Sequence, residues 1–129
     1  MASIFTKIIN GEIPCHKIAE DEHYFAFLDI SPQVEGHTLV IPKQEVDYIF
    51  DLEDDVLTGL MLFAKKVSKA IEATVPCERI GVGVIGLEVP HAHVHLMPVN
   101  TVGDLSFGNP IQINSDELAA LAAKIRANF

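Results

Sequence analysis

The chain has no tryptophan, only two cysteines, few cations, and no apolar run approaching the ~20 residues that a bilayer-spanning helix requires. Cys15 and Cys77 lie far apart and show no Cys-x-x-Cys spacing, which argues against a disulfide scaffold and a four-cysteine zinc site. Both read as small core residues of a reduced protein, and the expected compartment is the cytoplasm, with no leader of the charged-then-apolar type and no membrane partner. Lys and Arg total 9 against 18 Asp and Glu, a net charge of −9. A surface that neutralises nucleic-acid phosphates needs clustered Lys and Arg, so no nucleic acid polymer is expected as a partner. One local site on such a protein can still hold a small phosphorylated ligand.

What is present points to a packed domain. Hydrophobic residues make up 49% and charged residues 21% of 129 positions, enough for a core and too apolar for disorder. The length suits a single domain over residues 1–129. There are no repeats and no low-complexity linker. Ser3 is placed to cap a short helical turn, IFTKII, that Asn10-Gly11 would end. Lys17–Glu20 and Tyr24–Ile30 read as strands around the acidic turn Glu20-Asp21-Glu22. After SPQVEG, His37–Ile41 reads as a third strand, stopped by Pro42. Asp51 opens the clearest helix. Val56, Leu57, Leu60, Phe63, Ala64, Val67, Ala70 and Ile71 recur at steps of three and four, and Asp54, Asp55, Lys65, Lys66, Lys69 and Glu72 form its solvated face. Arg79–Ile85 and His91–Met97 read as another strand pair. Asp116–Phe129 closes the chain as a helix with Leu118, Leu121, Ile125 and Phe129 inward. Grouped strands and separate helices predict an α+β fold with an antiparallel sheet, one long helix and a C-terminal helix.

The chemistry gathers in VPHAHVHLMP, residues 89–98, which holds three of the six histidines within five positions. On a strand, His91, His93, His95 and Met97 would share one face, with imidazoles roughly 7 Å apart, and Ala92, Val94 and Leu96 the other. Pro90 and Pro98 would limit the strand and leave the row near an end or an edge. A solvent-facing polar row is improbable in such strict alternation. A metal site is open, because two histidines two apart on a strand can both reach one ion, although no carboxylate or cysteine ligand is near in sequence. His16, His23 and His37 could join only through the fold. Nucleophilic catalysis is equally open: neutral imidazole is a good nucleophile, and crowded neighbours oppose simultaneous protonation. Spacing alone ranks metal and catalysis nearly level.

The row, preceded by Gly86 and Val89, resembles the signature of the histidine-triad (HIT) family of nucleotidyl hydrolases and transferases. IFTKIINGEIP, AEDE and AFLDISPQVEGHTLVIPK resemble the N-terminal half of its Hint-like members, so the likeness covers about residues 4–98. The resemblance implies a HIT-like α+β domain that forms a homodimer by joining two sheets. It implies a purine nucleotide substrate cleaved at the α-phosphate without a cofactor. The middle histidine, His93, would attack phosphorus to form a nucleotidyl-histidine intermediate, with His91 and His95 orienting it and His37 in support. Asp29 would hold the ribose hydroxyls. Phe5, Ile8, Ile13, Phe27 and Ile30 would form the slot for the base, and Gly86 and Val89 would complete the nucleotide site. Read without the resemblance, those five apolar residues are ordinary core, Asp29 a turn residue, and His37 a strand-start histidine.

Departures from the family pattern limit what the resemblance implies about substrate. Leu87 and Glu88 follow Gly86 where many relatives have a glutamine and a small hydroxyl residue, and a carboxylate facing phosphate would repel it. Glu88 is therefore expected to face away or to meet a cationic leaving group. RIGVGVIG is shorter than in relatives and lacks their asparagine, and the C-terminal Trp motif of the animal Hint branch is absent. Ser3 and Thr6 stand where some bacterial relatives have zinc-binding cysteines, so no metal is expected there. The expected activity is that of a purine nucleoside phosphoramidase. A dinucleoside polyphosphate hydrolase is the alternative within the class. A nucleotide-binding regulatory dimer without catalysis, or a metalloprotein, lies outside it.

Overall fold

The computed structural model describes residues 2–129. The fold begins at Ser3, whose hydroxyl accepts the Thr6 amide hydrogen at 3.0 Å and caps helix α1, Ile4–Ile9. Asn10 closes that helix, and Gly11 turns the chain away at φ +79°, a conformation that glycine adopts without a Cβ clash. Strand β1 (Lys17–Glu20) and strand β2 (Tyr24–Leu28) pair as a hairpin. The turn between them is held by Asp21, whose Oδ1 accepts the amides of His23 and Tyr24, each at 2.8 Å.

Strand β3 (Thr38–Pro42), helix α2 (Asp54–Glu72), strand β4 (Arg79–Gly83), strand β5 (Val94–Val99) and helix α3 (Ser115–Ala127) follow. The five strands form one sheet in the order β1-β2-β3-β5-β4, every neighbouring pair antiparallel. This is the α+β class that the grouping of strands and helices predicts. Every residue of β2 and β3 is buried, because both faces of the sheet are covered there. One face meets α2 and α3 through Leu60, Phe63, Val67, Ile71, Leu118 and Ile125, which pack on Ala26, Leu28, Val40, Val94 and Leu96. The other face carries a smaller cluster of Phe5, Phe25, Phe27, Leu39 and Ile41 beneath α1. β4 is an edge strand and is only partly buried. Among the described residues no helix is long and apolar enough to cross a membrane.

The stripe on α2 buries Leu60, Phe63, Ala64, Val67, Ala70 and Ile71, and leaves Val56 and Leu57 half-buried in its first turn. Gly59 on this helix is where the Tyr24 side chain crosses. The Tyr24 hydroxyl donates to the Val56 carbonyl at 3.0 Å, and a Cβ on residue 59 would come within 2.0 Å of that hydroxyl oxygen.

Several expected boundaries move. The long helix starts at Asp54, after a separate 3-10 turn at Ile49–Asp51. β2 stops at Leu28 and β4 at Gly83, while β3 begins at Thr38 and includes Pro42. Pro98 lies inside β5, because beyond Leu96 that strand pairs with β4 alone and a proline is tolerated on the unpaired side. On α3, Ala122 is buried in place of Leu121, which is half-buried, and Phe129 lies largely exposed beyond the helix end. Both cysteines are half-buried and free; Cys15 packs at the margin of the smaller cluster, and Cys77 belongs to neither cluster.

Candidate active site

The histidine row lies at the start of β5, an end but not an edge, since β5 sits between β3 and β4. It is only partly a strand. His95 is in the ladder, flanked by Leu39 on β3 and Gly83 on β4. His91 and His93 precede it in an irregular segment, where the Ala92 amide donates to the Val46 carbonyl at 2.7 Å instead of to a neighbouring strand. The expected alternation of contacts survives this: Ala92, Val94 and Leu96 belong to the cluster under the helices, and all three imidazoles lie away from it.

Hydrogen counting assigns the tautomers, because a carbonyl can only accept and an amide N–H can only donate. His93 Nδ1 lies 2.8 Å from the His91 carbonyl and must donate to it, which leaves Nε2 with a free lone pair. His91 Nε2 donates to the Pro42 carbonyl at 2.8 Å, so its Nδ1 accepts from the Ser3 hydroxyl, also at 2.8 Å. His37 Nδ1 accepts the Gln33 amide hydrogen at 3.0 Å. Its Nε2 therefore donates to His95 Nδ1 at 2.9 Å, and His95 is left holding a hydrogen on Nε2. One ring offers a lone pair, and its neighbour, with ring centroids 4.9 Å apart, offers a donor.

Burial disfavours the charged form of His37, His91 and His95. It pushes the His95 pKa down to about 3, helped by the nearness of His93 and His37. His37 is lowered chiefly by burial, with the Asp29 carboxylate pulling the other way and His93 adding to the depression. His91 is likewise lowered by burial, against the opposing pull of the Pro42 carbonyl and Glu45, with a smaller push downward from His93.

A cavity of about 560 Å³ opens over the row and is lined by His37, His93 and His95. The five residues expected to form the base slot all reach it. Phe5 and Phe27 meet edge to face at 5.5 Å, Phe5 also stands edge-on to His93 at 5.1 Å, and Ile8 and Ile13 continue the wall. Ile30 borders the opening and is 72% exposed. Asp29, Gly86 and Val89 line it as well. His91 does not; it is sealed behind the row. Asp29 follows β2 in a turn, where Oδ1 accepts the Ser31 amide at 2.8 Å, and its Oδ2 stands 3.7 Å from His37 Nε2. Ligand atoms of Asp29, His37 and His95 lie within 4.8 Å of one another, but the facing nitrogens of the two histidines already share a hydrogen that a cation would have to replace.

Sequence reasoning misses part of the lining. Phe107 covers His95 edge to face at 4.8 Å and His37 at 6.2 Å, and the Gln33 amide fixes the His37 tautomer. Phe107 lies in a segment without periodicity, outside the matched motifs, where only its aromatic character among turn residues stands out. Glu88 reaches the cavity mouth as an exposed carboxylate, and no Lys or Arg lines the cavity.

Fold and site together define a small α+β protein that presents an oriented imidazole ring to a largely apolar cavity. Comparison with known proteins places it further: the HIT domain family matches residues 10–102, and the chain belongs to that family. An uncharacterized HIT-like protein of Methanocaldococcus jannaschii is 39% identical over 125 residues, covering 89% of this chain and 94% of its own. The adenosine 5'-monophosphoramidase of Schizosaccharomyces pombe is 38% identical over 132 residues, covering 100% of this chain and 99% of its own. Among solved structures, a Hit-like protein from Bartonella henselae superposes with a TM-score of 0.86 at 32% identity, covering 98% of this chain and 96% of its own.

Proposed function

We propose that the protein is a purine nucleoside phosphoramidase that works through a covalent nucleotidyl-histidine intermediate, with His93 as nucleophile. The observation that carries this reading is the His93 hydrogen bond to the His91 carbonyl, which commits Nδ1 as donor and aims chemistry at Nε2. In the first step Nε2 attacks the α-phosphorus, a P–N bond forms, and the bond from phosphorus to the leaving nitrogen breaks. His95 Nε2–H donates its hydrogen to the departing nitrogen, which leaves as the amine, and His37 holds His95 in that tautomer. In the second step His95 Nε2 takes a hydrogen back from the water that attacks phosphorus, the P–N bond to His93 breaks, and the nucleoside monophosphate leaves. Phe5, Ile8, Ile13, Phe27 and Ile30 enclose the base, Asp29 binds the ribose hydroxyls, and Gly86 and Val89 border the phosphate.

A phosphoramidate fits better than a dinucleoside polyphosphate because the lining has no Lys or Arg for further phosphates and carries Glu88 instead. The activity that relatives carry in their names supports the same choice. We further infer that the chain works as one domain in the cytoplasm and pairs as a homodimer through the edge strand β4. Val82, Val84 and Ile85 at that edge, with nearby Tyr48, Phe50 and Met61, leave apolar surface exposed, and an uncovered sheet edge invites a partner strand.

The test is turnover of adenosine 5′-phosphoramidate, with and without chelator, by wild type and His93→Ala. Chelator-resistant release of AMP that falls by about a thousandfold or more in folded His93→Ala is the expected result. Loss of activity in chelator would return the metal reading. No turnover by folded wild type would leave a nucleotide-binding dimer as the better account.

A further inference from the structure

We propose that Glu45 is a positioning residue for the histidine row, acting through Ser3 and Thr6. This rests on the reading of His93 as nucleophile, and it concerns residues outside the cavity lining. One carboxylate oxygen, Glu45 Oε1, accepts two hydrogens from the first turn of α1: the Ser3 amide at 2.7 Å and the Thr6 hydroxyl at 2.6 Å. The Thr6 hydroxyl has one hydrogen, and Glu45 takes it. Thr6 Oγ1, 3.5 Å from His91 Nδ1, therefore cannot supply that nitrogen, and the hydrogen on His91 Nδ1 comes from Ser3. Ser3 Oγ in turn accepts the Thr6 amide, and of the two acceptors within reach of its own hydrogen, Thr6 Oγ1 at 3.3 Å and His91 Nδ1 at 2.8 Å, the imidazole is the nearer.

Glu45 lies in the stretch from the end of β3 onward, residues 42–46, that flanks His91 and Ala92. Pro42 accepts from His91 Nε2, Val46 accepts from the Ala92 amide, and Glu45 controls the donor to His91 Nδ1. The His91 carbonyl, which sets the tautomer of His93, is fixed by this bracket. The same contacts tie down α1. A helix of six residues is marginal by itself. Phe5, between Ser3 and Thr6, stands against both His93 and Phe27. Releasing Glu45 thus loosens the nucleophile's support and one wall of the cavity together. The Thr6 and Ser3 hydrogen bonds also hold the Glu45 carboxyl down at about 2, so the tether stays ionised through the neutral and mildly acidic range.

The experiment compares Glu45→Ala, Glu45→Gln and Thr6→Val in the full chain, reading kcat and KM for adenosine 5′-phosphoramidate beside ¹⁵N signals of the His91 and His93 rings. Glu45→Ala is expected to lower kcat/KM by between about tenfold and a hundredfold, as small displacements of a reacting group do. Both kcat and KM should change, and the ring signals of His91 should shift. Glu45→Gln keeps an oxygen acceptor for Ser3 and Thr6 and should restore most of the activity. Adding Thr6→Val to Glu45→Ala should cost little more, because both break one connection. Unchanged ring signals in Glu45→Ala, or a Glu45→Gln variant as impaired as Glu45→Ala, would overturn the proposal. If wild type turned over no phosphoramidate, the substrate reading would fail while the ring signals still decided the role of Glu45.

Discussion

The two faces of the sheet are built differently. Under α2 and α3 the strands meet a broad, closed cluster in which Leu60, Val67, Ile71, Val94, Leu96 and Ile125 are all fully buried. Among the described residues the α-helix on the opposite face is α1, six residues long, and the aromatic cluster beneath it opens directly into the cavity. Both faces are stabilised by area removed from water, but the second has the smaller cluster, and edge-to-face aromatic contacts and hydrogen bonds add to it. A sheet closed on one side can leave the other under-covered, and the under-covered region is where the imidazoles and the cavity are found. The comparison separates two kinds of apolar residue that sequence patterning alone treats as one.

The largest contrast should come from truncating each face. Leu60→Ala removes a fully buried side chain from the closed face and is expected to cost about 2–5 kcal/mol of stability, seen as a lowered denaturant midpoint. KM for the nucleotide should stay unchanged in that variant at a temperature where it remains folded; a raised KM would show that the faces are coupled. On the open face, Asp29→Ala should do the reverse. Its carboxylate is half-buried at the cavity, engaged by one amide in a local turn, so stability should change little. KM should rise about tenfold, the size of one or two lost hydrogen bonds to a charged acceptor. An unchanged KM would remove Asp29 from the site.

This division also explains what could be read in advance. The stripe on α2 was legible because its period of three to four is imposed by a single buried face. Ala92, Val94 and Leu96 were legible because alternation follows the side of the chain facing the core, even where no ladder forms. The extent of the strand was not, because the amide of Ala92 bonds to Val46, far away in sequence and outside any strand. Pro98 misled for a related reason: whether a proline ends a strand depends on which side has a neighbour, and sequence does not say where β3 stops. Phe5, Ile8, Ile13 and Phe27 look like core residues by themselves, and only the resemblance to the HIT family pointed them at a ligand. Phe107 and Glu45 had no such pointer. Each acts across a long sequence separation, Glu45 on Ser3 and Thr6, Phe107 on His37 and His95.

The smallest expected effect is on the pH dependence of stability, and it isolates the open face. His37, His91 and His95 all have pKa values lowered on folding, chiefly by burial, that of His95 to about 3. In the unfolded chain these imidazoles take up protons near pH 6.5, whereas the folded protein resists them. Between the unfolded and folded values the unfolded state therefore binds more protons, and stability rises with pH. The contribution is fully present above about pH 6.5 and is lost as pH falls toward the folded values. The melting temperature should thus decline by roughly 5 °C or more between pH 7.5 and pH 5. Carboxylates with depressed values such as Glu45, at about 2, keep their charge over this range and leave the window to the histidines. His95→Asn should flatten part of the decline, while Leu60→Ala should lower the whole curve without changing its slope. A slope that survived the loss of His95 unchanged would show that its burial in the neutral form is not a source of acid sensitivity. The acid response would then belong to other groups, and the closed and open faces would no longer differ in the way the buried histidines imply.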